Sequence, residues 1–174
     1  MKIIHHHFEI LSSTNDWTKE NLASFSQDCL TVVSSDEQTK GRGQFGRNWV
    51  SPPQKNLYVT FCFFPKGEMH EPLTYTHQFA HAIAKLLEDY GIHCHVKHPN
   101  DLFVEGKKIG GILSETSQGA VLIGLGLNCN MTKEELAHID QPATSLLTET
   151  GLPHSPQELL THLRPILEEV AAVD

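Results

Sequence analysis

The stretch GRGQFGRNW, residues 41–49, interleaves three glycines with two arginines and a tryptophan. Glycine lets backbone amides approach an anion closely, because no Cβ stands in the way. Arginine adds a planar fork that pairs with two oxygens at once and stays charged at any working pH. Together they suit a phosphate or an acyl phosphate. The same composition also fits a flexible surface loop with solvated arginines. The stretch is not read as a dinucleotide fingerprint or a P-loop, whose G-K-[ST] ending it lacks. Trp49 either stacks on a ligand or fills the core beneath the loop.

A second segment, KHPNDLFVEGKKIGGILSE at residues 97–115, adds a different chemistry. Pro99 stiffens the approach to Asn100 and Asp101, which project at the turn into a strand. A hairpin then returns Lys107 and Lys108, followed by Gly110 and Gly111, where a ligand can lie directly on strand backbone. Lysine, aspartate and asparagine at strand ends, with a distant Arg/Gly loop, look like a site for ATP-dependent activation of a carboxylate.

GRGQFGRNW, KHPNDL and KKIGGILSE occur in this order, with SSTN at 12–15 before them and GLGLN at 124–128 after. Over residues 4–170 these motifs resemble the biotin–protein ligases, also called holocarboxylase synthetases. The resemblance implies two half-reactions in one site. Biotin and Mg·ATP give biotinyl-5′-AMP and pyrophosphate, and the mixed anhydride then acylates a lysine of a biotin carboxyl carrier protein, the acetyl-CoA carboxylase subunit. By motif, Ser13, Thr14, Asn15 and Gln38 are expected around the biotin head group, whose ureido ring calls for uncharged donors and acceptors. Arg42, Gly43 and Gln44 are expected over the biotin carboxylate and α-phosphate, with Arg47 toward the outer phosphates. Lys108 is expected to be the main electrostatic catalyst, with Arg42, while Asp101 orients the reacting groups. Gly110, Gly111 and Gly126 leave room for biotin. Trp49, Lys97, Asn100 and Asn128 are assigned to the ATP and adenylate side. No metal ligand is assigned to the protein itself; Mg²⁺ comes with ATP.

The sequence departs from the family pattern in three places. Many relatives carry an arginine where this chain has Gln44, which implies weaker retention of the anhydride. The Lys-Trp-Pro-Asn-Asp motif has His98 in place of tryptophan. The small C-terminal β-barrel usual in the family is not expected in residues 1–174, nor is the N-terminal helix-turn-helix of repressor-type members. A single catalytic domain is therefore expected.

These motifs must be held by a scaffold, and the apolar pattern outlines it. Strands are expected at 3–10, 29–34, 56–64, 93–97, 101–104, 109–115 and 120–128, with turns at Gly106 and at 117–119. Residues 35–51 read as one long loop. Ser13 and Asp16 are spaced like a capping box, opening a helix that runs to about residue 25. Phe79, Ile83, Leu86, Leu87 and Tyr90 form the stripe of a helix over 71–90, and Leu159, Leu160, Leu163, Ile166, Leu167 and Val170 form another. Hairpins separated by helices argue for α+β. The resemblance supplies the topology: a mixed, largely antiparallel sheet with helices packed on it, related to class II aminoacyl-tRNA synthetases.

Thirteen basic against twenty-one acidic residues give a formal net charge of −8, which disfavours nonspecific binding to nucleic acid or an anionic membrane. Neither partner is expected, nor is operator binding. No apolar run reaches the length of a membrane span. The scattered Cys29, Cys62, Cys94 and Cys129 suit reduced thiols in a cytoplasmic protein, as monomer or homodimer. His93 and His95 alternate along a strand and can share a face, but no Cys/His spacing matches a zinc motif. Two rivals stay open: a lipoate or octanoate ligase of the same fold, and a module that binds biotin without activating it.

Overall fold

The computed structural model describes residues 1–171; how the chain runs at 172–174, where the sequence ends, lies outside the described residues. Seven strands form one sheet in the order β1-β2-β3-β7-β6-β5-β4. They are β1 Lys2–Leu11, β2 Cys29–Gln38, β3 Leu57–Phe63, β4 His95–Lys97, β5 Asp101–Val104, β6 Lys107–Ser117 and β7 Ala120–Leu127. β1 and β2 are parallel and every other neighbouring pair is antiparallel. The mixed sheet agrees with the α+β expectation.

The longest helices are α2, Pro72–Glu88, and α5, Pro156–Ala171, which pack on one face of the sheet and on each other. Their apolar stripes meet Val59, Phe61 and Phe63 of β3 and Val121, Ile123 and Leu125 of β7 in a continuous core. Phe61 and Phe79 cross edge to face with ring centres 5.6 Å apart, a geometry contributing about 1 kcal/mol beyond burial. All seven residues of β3 are buried, so its second face is covered too. There α1, Thr14–Glu20, lies over Thr60.

Several boundaries differ from the sequence reading. β2 runs on through Gln38, so the long loop begins later than residue 35: its polar end SSDEQ is held by β1, with Ser35 opposite Phe8 and Gln38 opposite Leu11. Backbone pairing there outweighs the lack of apolar residues. The first helix stops at Glu20, and Leu22–Ser24 is a separate 3₁₀ turn. Only half of the capping box forms: Ser13 Oγ accepts from the Asp16 amide at 3.3 Å, while the Asp16 carboxylate turns to Arg42. β4 starts at His95, which leaves His93 outside the strand. Glu105 and Gly106, both with positive φ, make a two-residue turn, so Lys107 and Lys108 already belong to β6. Two short helices were not anticipated, α3 Lys133–Leu136 and α4 Leu146–Thr150.

The glycine-rich stretch is a small hairpin. Arg42 bridges Asn48, and the Gly43 amide donates to the Arg47 carbonyl at 2.8 Å. Gly41, Gly43 and Gly46 do satisfy the spacing G-x-G-x-x-G, yet no α-helix opens after them. The context of a dinucleotide fingerprint is absent, so it is not one. Phe45 stands at the tip with φ 57° and 91% of its surface exposed.

Candidate active site

A cavity of about 870 Å³ opens on the α1 face of the sheet. Its floor is made of glycine. Gly111 of β6 stands opposite Gly126 of β7, and Leu113 stands opposite Gly124. A Cβ at Gly126 would overlap the Trp49 indole, and one at Gly124 would overlap the Asn15 side chain. The bare strands thus admit two side chains from other segments, which then form the surface that faces the cavity. Gly124 was missed in the sequence, although GLGLN contains it.

At one end, α1 and the end of β2 supply uncharged polar groups. Gln38 Oε1 accepts from the Thr14 amide at 2.9 Å, and Gln38 Nε2 donates to Ser51 Oγ at 3.1 Å. Asn15 Nδ2 donates to the Leu113 carbonyl at 3.2 Å and to Glu115 Oε2 at 3.0 Å; its Oδ1 accepts from Thr60 Oγ1 at 2.5 Å. Ser13, Thr14 and Asn15 are buried. Each therefore presents its remaining hydrogen-bonding capacity from a fixed position.

At the other end lies Lys108, whose side chain is 12% exposed and whose Nζ is 2.7 Å from Asp101 Oδ1. The backbone of Lys108 is pinned on both sides: its amide donates to the Pro142 carbonyl and its carbonyl accepts from the Thr144 amide, each at 2.9 Å. The Lys108 ammonium also stands 5.3 Å from the centre of the Trp49 ring. Trp49 thus packs against the strands and borders the cavity. Its ring fills the glycine trough and also lines the cavity, and its buried Nε1 has no hydrogen-bond partner.

Arg42, Arg47, Lys97 and Lys108 line this cavity against only Asp101 and Asp140. Asp16 and Glu115 offset Arg42 and Asp101 offsets Lys108, so Arg47 and Lys97 are the cavity cations without a carboxylate partner among the described residues, available to a small anion. Arg42 and Lys108 reach the same space from separate segments. Arg42 is held on the near wall: Nε donates to Asp16 Oδ1 at 3.0 Å and Nη2 to Glu115 Oε2 at 2.9 Å. Burial works against the Arg42 charge, but hydrogen bonds and attraction from Asp16 and Glu115 outweigh it and raise its pKa above the ordinary value. Burial also pushes the Glu115 carboxyl up, yet the Asn15 hydrogen bond and the Arg42 guanidinium together hold it below the usual range. Neither Asp16, read only as a helix cap, nor Glu115, the last residue of KKIGGILSE, was assigned to the site; only folding brings Arg42 and Glu115, 73 positions apart, together.

Two assigned residues, Gly110 and Asn128, are not on the wall of this cavity. Gly110 does not line the cavity: a Cβ there would point at Leu102 and Leu127 on the opposite side of the strand. Asn128 is buried and lines a small pocket beside the cavity with Trp49, Lys108 and Asp140, and its amide donates to the Thr144 carbonyl at 3.0 Å, bracing the segment that pins Lys108. Asn100 reaches the cavity wall, but its side chain donates to the Ile112 carbonyl at 2.8 Å. Gly43, Gln44 and Gly126 are on the cavity wall. The segment 138–141 completes it and was not foreseen; the signal nearby was Thr132 followed by Glu135, which forms a full capping box at the start of α3. Among the described residues, no group of three or more His, Cys, Asp or Glu side chains is placed to hold a metal ion.

Residues 7–131 match the biotin/lipoate A/B protein ligase family. The chain is 31% identical over 156 residues to the bifunctional ligase/repressor BirA of Bacillus subtilis, covering 86% of this chain and 47% of that protein. It is 33% identical over 147 residues to a biotin–[acetyl-CoA-carboxylase] ligase of Paracoccus denitrificans, covering 76% of this chain and 59% of the relative. The chain thus spans about half the length of the curated relatives it matches. Among solved structures, the biotin protein ligase of Aquifex aeolicus in complex with biotin and ATP superposes with a TM-score of 0.79 at 29% identity, over 98% of this chain and 70% of that one. A lipoate protein ligase from Thermoplasma acidophilum shares the fold alone, with a TM-score of 0.69 at 12% identity. With its matched motifs gathered around one glycine-floored cavity, this chain belongs to the biotin/lipoate A/B protein ligase family.

Proposed function

We propose that the chain is the catalytic domain of a biotin–protein ligase, which makes biotinyl-5′-AMP from biotin and ATP and passes biotin to a lysine of a biotin carboxyl carrier protein. One observation carries this reading. Arg42 and Lys108 line a single cavity that also contains an uncharged polar floor of Thr14, Asn15 and Gln38. A neutral ureido head group fits that floor, and its carboxylate tail then points at the cations. The relatives named for biotin ligation, and the Aquifex aeolicus complex with biotin and ATP, support the same assignment.

The geometry gives each residue a task. Lys108, held by Asp101 at 2.7 Å, supplies fixed positive charge where the attacking carboxylate meets the α-phosphate. Charge concentrates there in the transition state, and a donor already in place pays no reorganisation cost. Arg42 faces the carboxylate from the loop side, while Arg47, which has no carboxylate partner among the described residues, faces the outer phosphates. Trp49 carries the nucleotide side of the cavity, and Asp101 receives the incoming lysine. Mg²⁺ neutralises phosphate charge when bound. It is held commonly by phosphates, water and one or two carboxylates, and Asp140 is the wall carboxylate free of an ion pair among the described residues. No helix among the described residues is long and apolar enough to cross a membrane, and a cytoplasmic setting, where ATP and the carrier would be met, belongs to the same proposal.

The test is a titration with biotin and ATP in the presence of a carrier fragment, read by mass spectrometry. A mass increase of one biotin on the carrier lysine is the expected result. Transfer of lipoate or octanoate instead would favour the sister activity, and bound biotin without transfer would leave a binding module.

A further inference from the structure

Glu115 joins the polar floor to the glycine-rich hairpin. Its Oε2 accepts from Asn15 Nδ2 at 3.0 Å and from Arg42 Nη2 at 2.9 Å, and its Oε1 is 3.6 Å from Lys19 Nζ. Arg42 is gripped from the other side by Asp16, with Nε at 3.0 and 3.2 Å from the two carboxylate oxygens and Nη2 at 2.7 Å from Oδ1. The second end of the hairpin is tied to the same floor: Ser51 Oγ donates to the Trp49 carbonyl at 2.9 Å and accepts from Gln38 Nε2 at 3.1 Å. Hydrogen bonds therefore lead from Arg42 through Glu115 to Asn15 and Thr60, while Gln38, which accepts from the Thr14 amide on the same floor, holds the far end of the loop through Ser51.

We propose that Glu115 is a positioning residue that couples occupancy of the head-group floor to the placement of Arg42. The proposal rests on the functional reading above, because it takes the polar floor to be where the substrate head group sits. A ligand that bonds to Asn15 stiffens the amide, the amide fixes Glu115, and Glu115 fixes the guanidinium. Arg42 has four rotatable side-chain bonds and would otherwise wander at the cavity mouth. Charge-assisted hydrogen bonds to two carboxylates from separate elements hold it in one orientation. Asp16 supplies grip alone; Glu115 supplies grip and the connection to Asn15.

Amide hydrogen exchange and kinetics of the whole chain separate these roles. The reporters are the Gly43 amide, bonded to the Arg47 carbonyl, and the Trp49 amide, bonded to the Gly41 carbonyl. In Glu115→Gln, exchange at these amides without ligand is expected to quicken about tenfold, as for loss of one charged hydrogen bond, with β3 and α2 unchanged. Biotin slows the same amides in the unaltered chain and loses that effect in Glu115→Gln at saturation. In Asp16→Asn the hairpin loosens but biotin still slows it. In biotin-dependent pyrophosphate exchange, Glu115→Gln raises the KM for biotin about tenfold and changes kcat far less, since Lys108 is untouched. Unchanged hairpin exchange in Glu115→Gln, or an equal response to biotin in both variants, overturns the proposal. An unaltered chain that binds no biotin sinks the functional reading and the coupling to the floor together, whereas the ligand-free exchange still judges the grip on Arg42.

Discussion

The Trp49 indole lies against Gly126 so closely that the position has no room for a Cβ. The same ring stands 5.3 Å beneath the Lys108 ammonium, so one aromatic plate supports the cation and borders the cavity. Gly126→Ala is expected to lift Trp49 from the trough at a cost of about 1–3 kcal/mol, as for other overpacked sites. In a Trp17→Phe background the displacement reads out as a red shift of the remaining tryptophan emission, with a lower Tm. Unaltered emission would show that the ring does not rest there.

Lys108→Gln is expected to slow adenylation by about a hundredfold or more, the usual loss for one preorganised donor. Asp101→Asn removes the partner at 2.7 Å and is expected to cost less, because the Lys108 backbone stays pinned by Pro142 and Thr144. Single-turnover formation of biotinyl-AMP measures both. Equal losses in the two variants would mean that Asp101 does more than hold the lysine.

Gln44 lines the cavity mouth beside the exposed Phe45. An arginine there would add a cation over the anhydride, so Gln44→Arg is expected to reduce escape of biotinyl-AMP several-fold, on the order of one exposed ion pair. Trapping with free amines during turnover measures the escape. No change in the trapped product would count against a retaining role for this position.

His5 is the pH-sensitive point of the scaffold. Arg164 Nη2 can only donate, and it lies 3.4 Å from His5 Nδ1, so that nitrogen accepts and Nε2 carries the hydrogen toward Ser34 Oγ at 2.7 Å. Burial first, then the Arg164 charge and the neighbouring His7 and His6, hold the His5 pKa below its ordinary 6.5. The unfolded chain then binds the proton more readily than the folded one, so stability falls as pH drops from 6.5 toward the lower folded value. Thermal unfolding across that window is expected to show the fall, and His5→Gln is expected to flatten it. Glu115 acts lower on the scale: its depressed pKa contributes stability above the ordinary carboxylate value that is lost as pH falls through the folded value.

How far the sequence disclosed this arrangement depended on how local each signal was. β3 and the stripe of α2 declare themselves, because a short, nearly unbroken apolar run and a helical period are written in neighbouring residues. The end of β2 was hidden because its ladder is completed by β1, more than twenty residues away. Arg42 and Lys108 were visible as motif residues, but nothing in the local pattern of Asp16 in α1 or Glu115 in β6 says that both carboxylates turn to Arg42. Gly110 and Gly111 look equivalent in sequence. The pleat sends one toward Leu102 and the other toward Lys108 and Trp49.

The proposed chemistry puts Arg42 and Lys108 around one reacting centre, where a carboxylate displaces pyrophosphate from ATP. Exchange of labelled pyrophosphate into ATP measures that step alone, without a carrier. The account requires exchange that depends on biotin, ignores lipoate, and collapses in both Lys108→Gln and Arg42→Gln. Exchange that persists in both variants, or that biotin fails to stimulate in the unaltered chain, would contradict it.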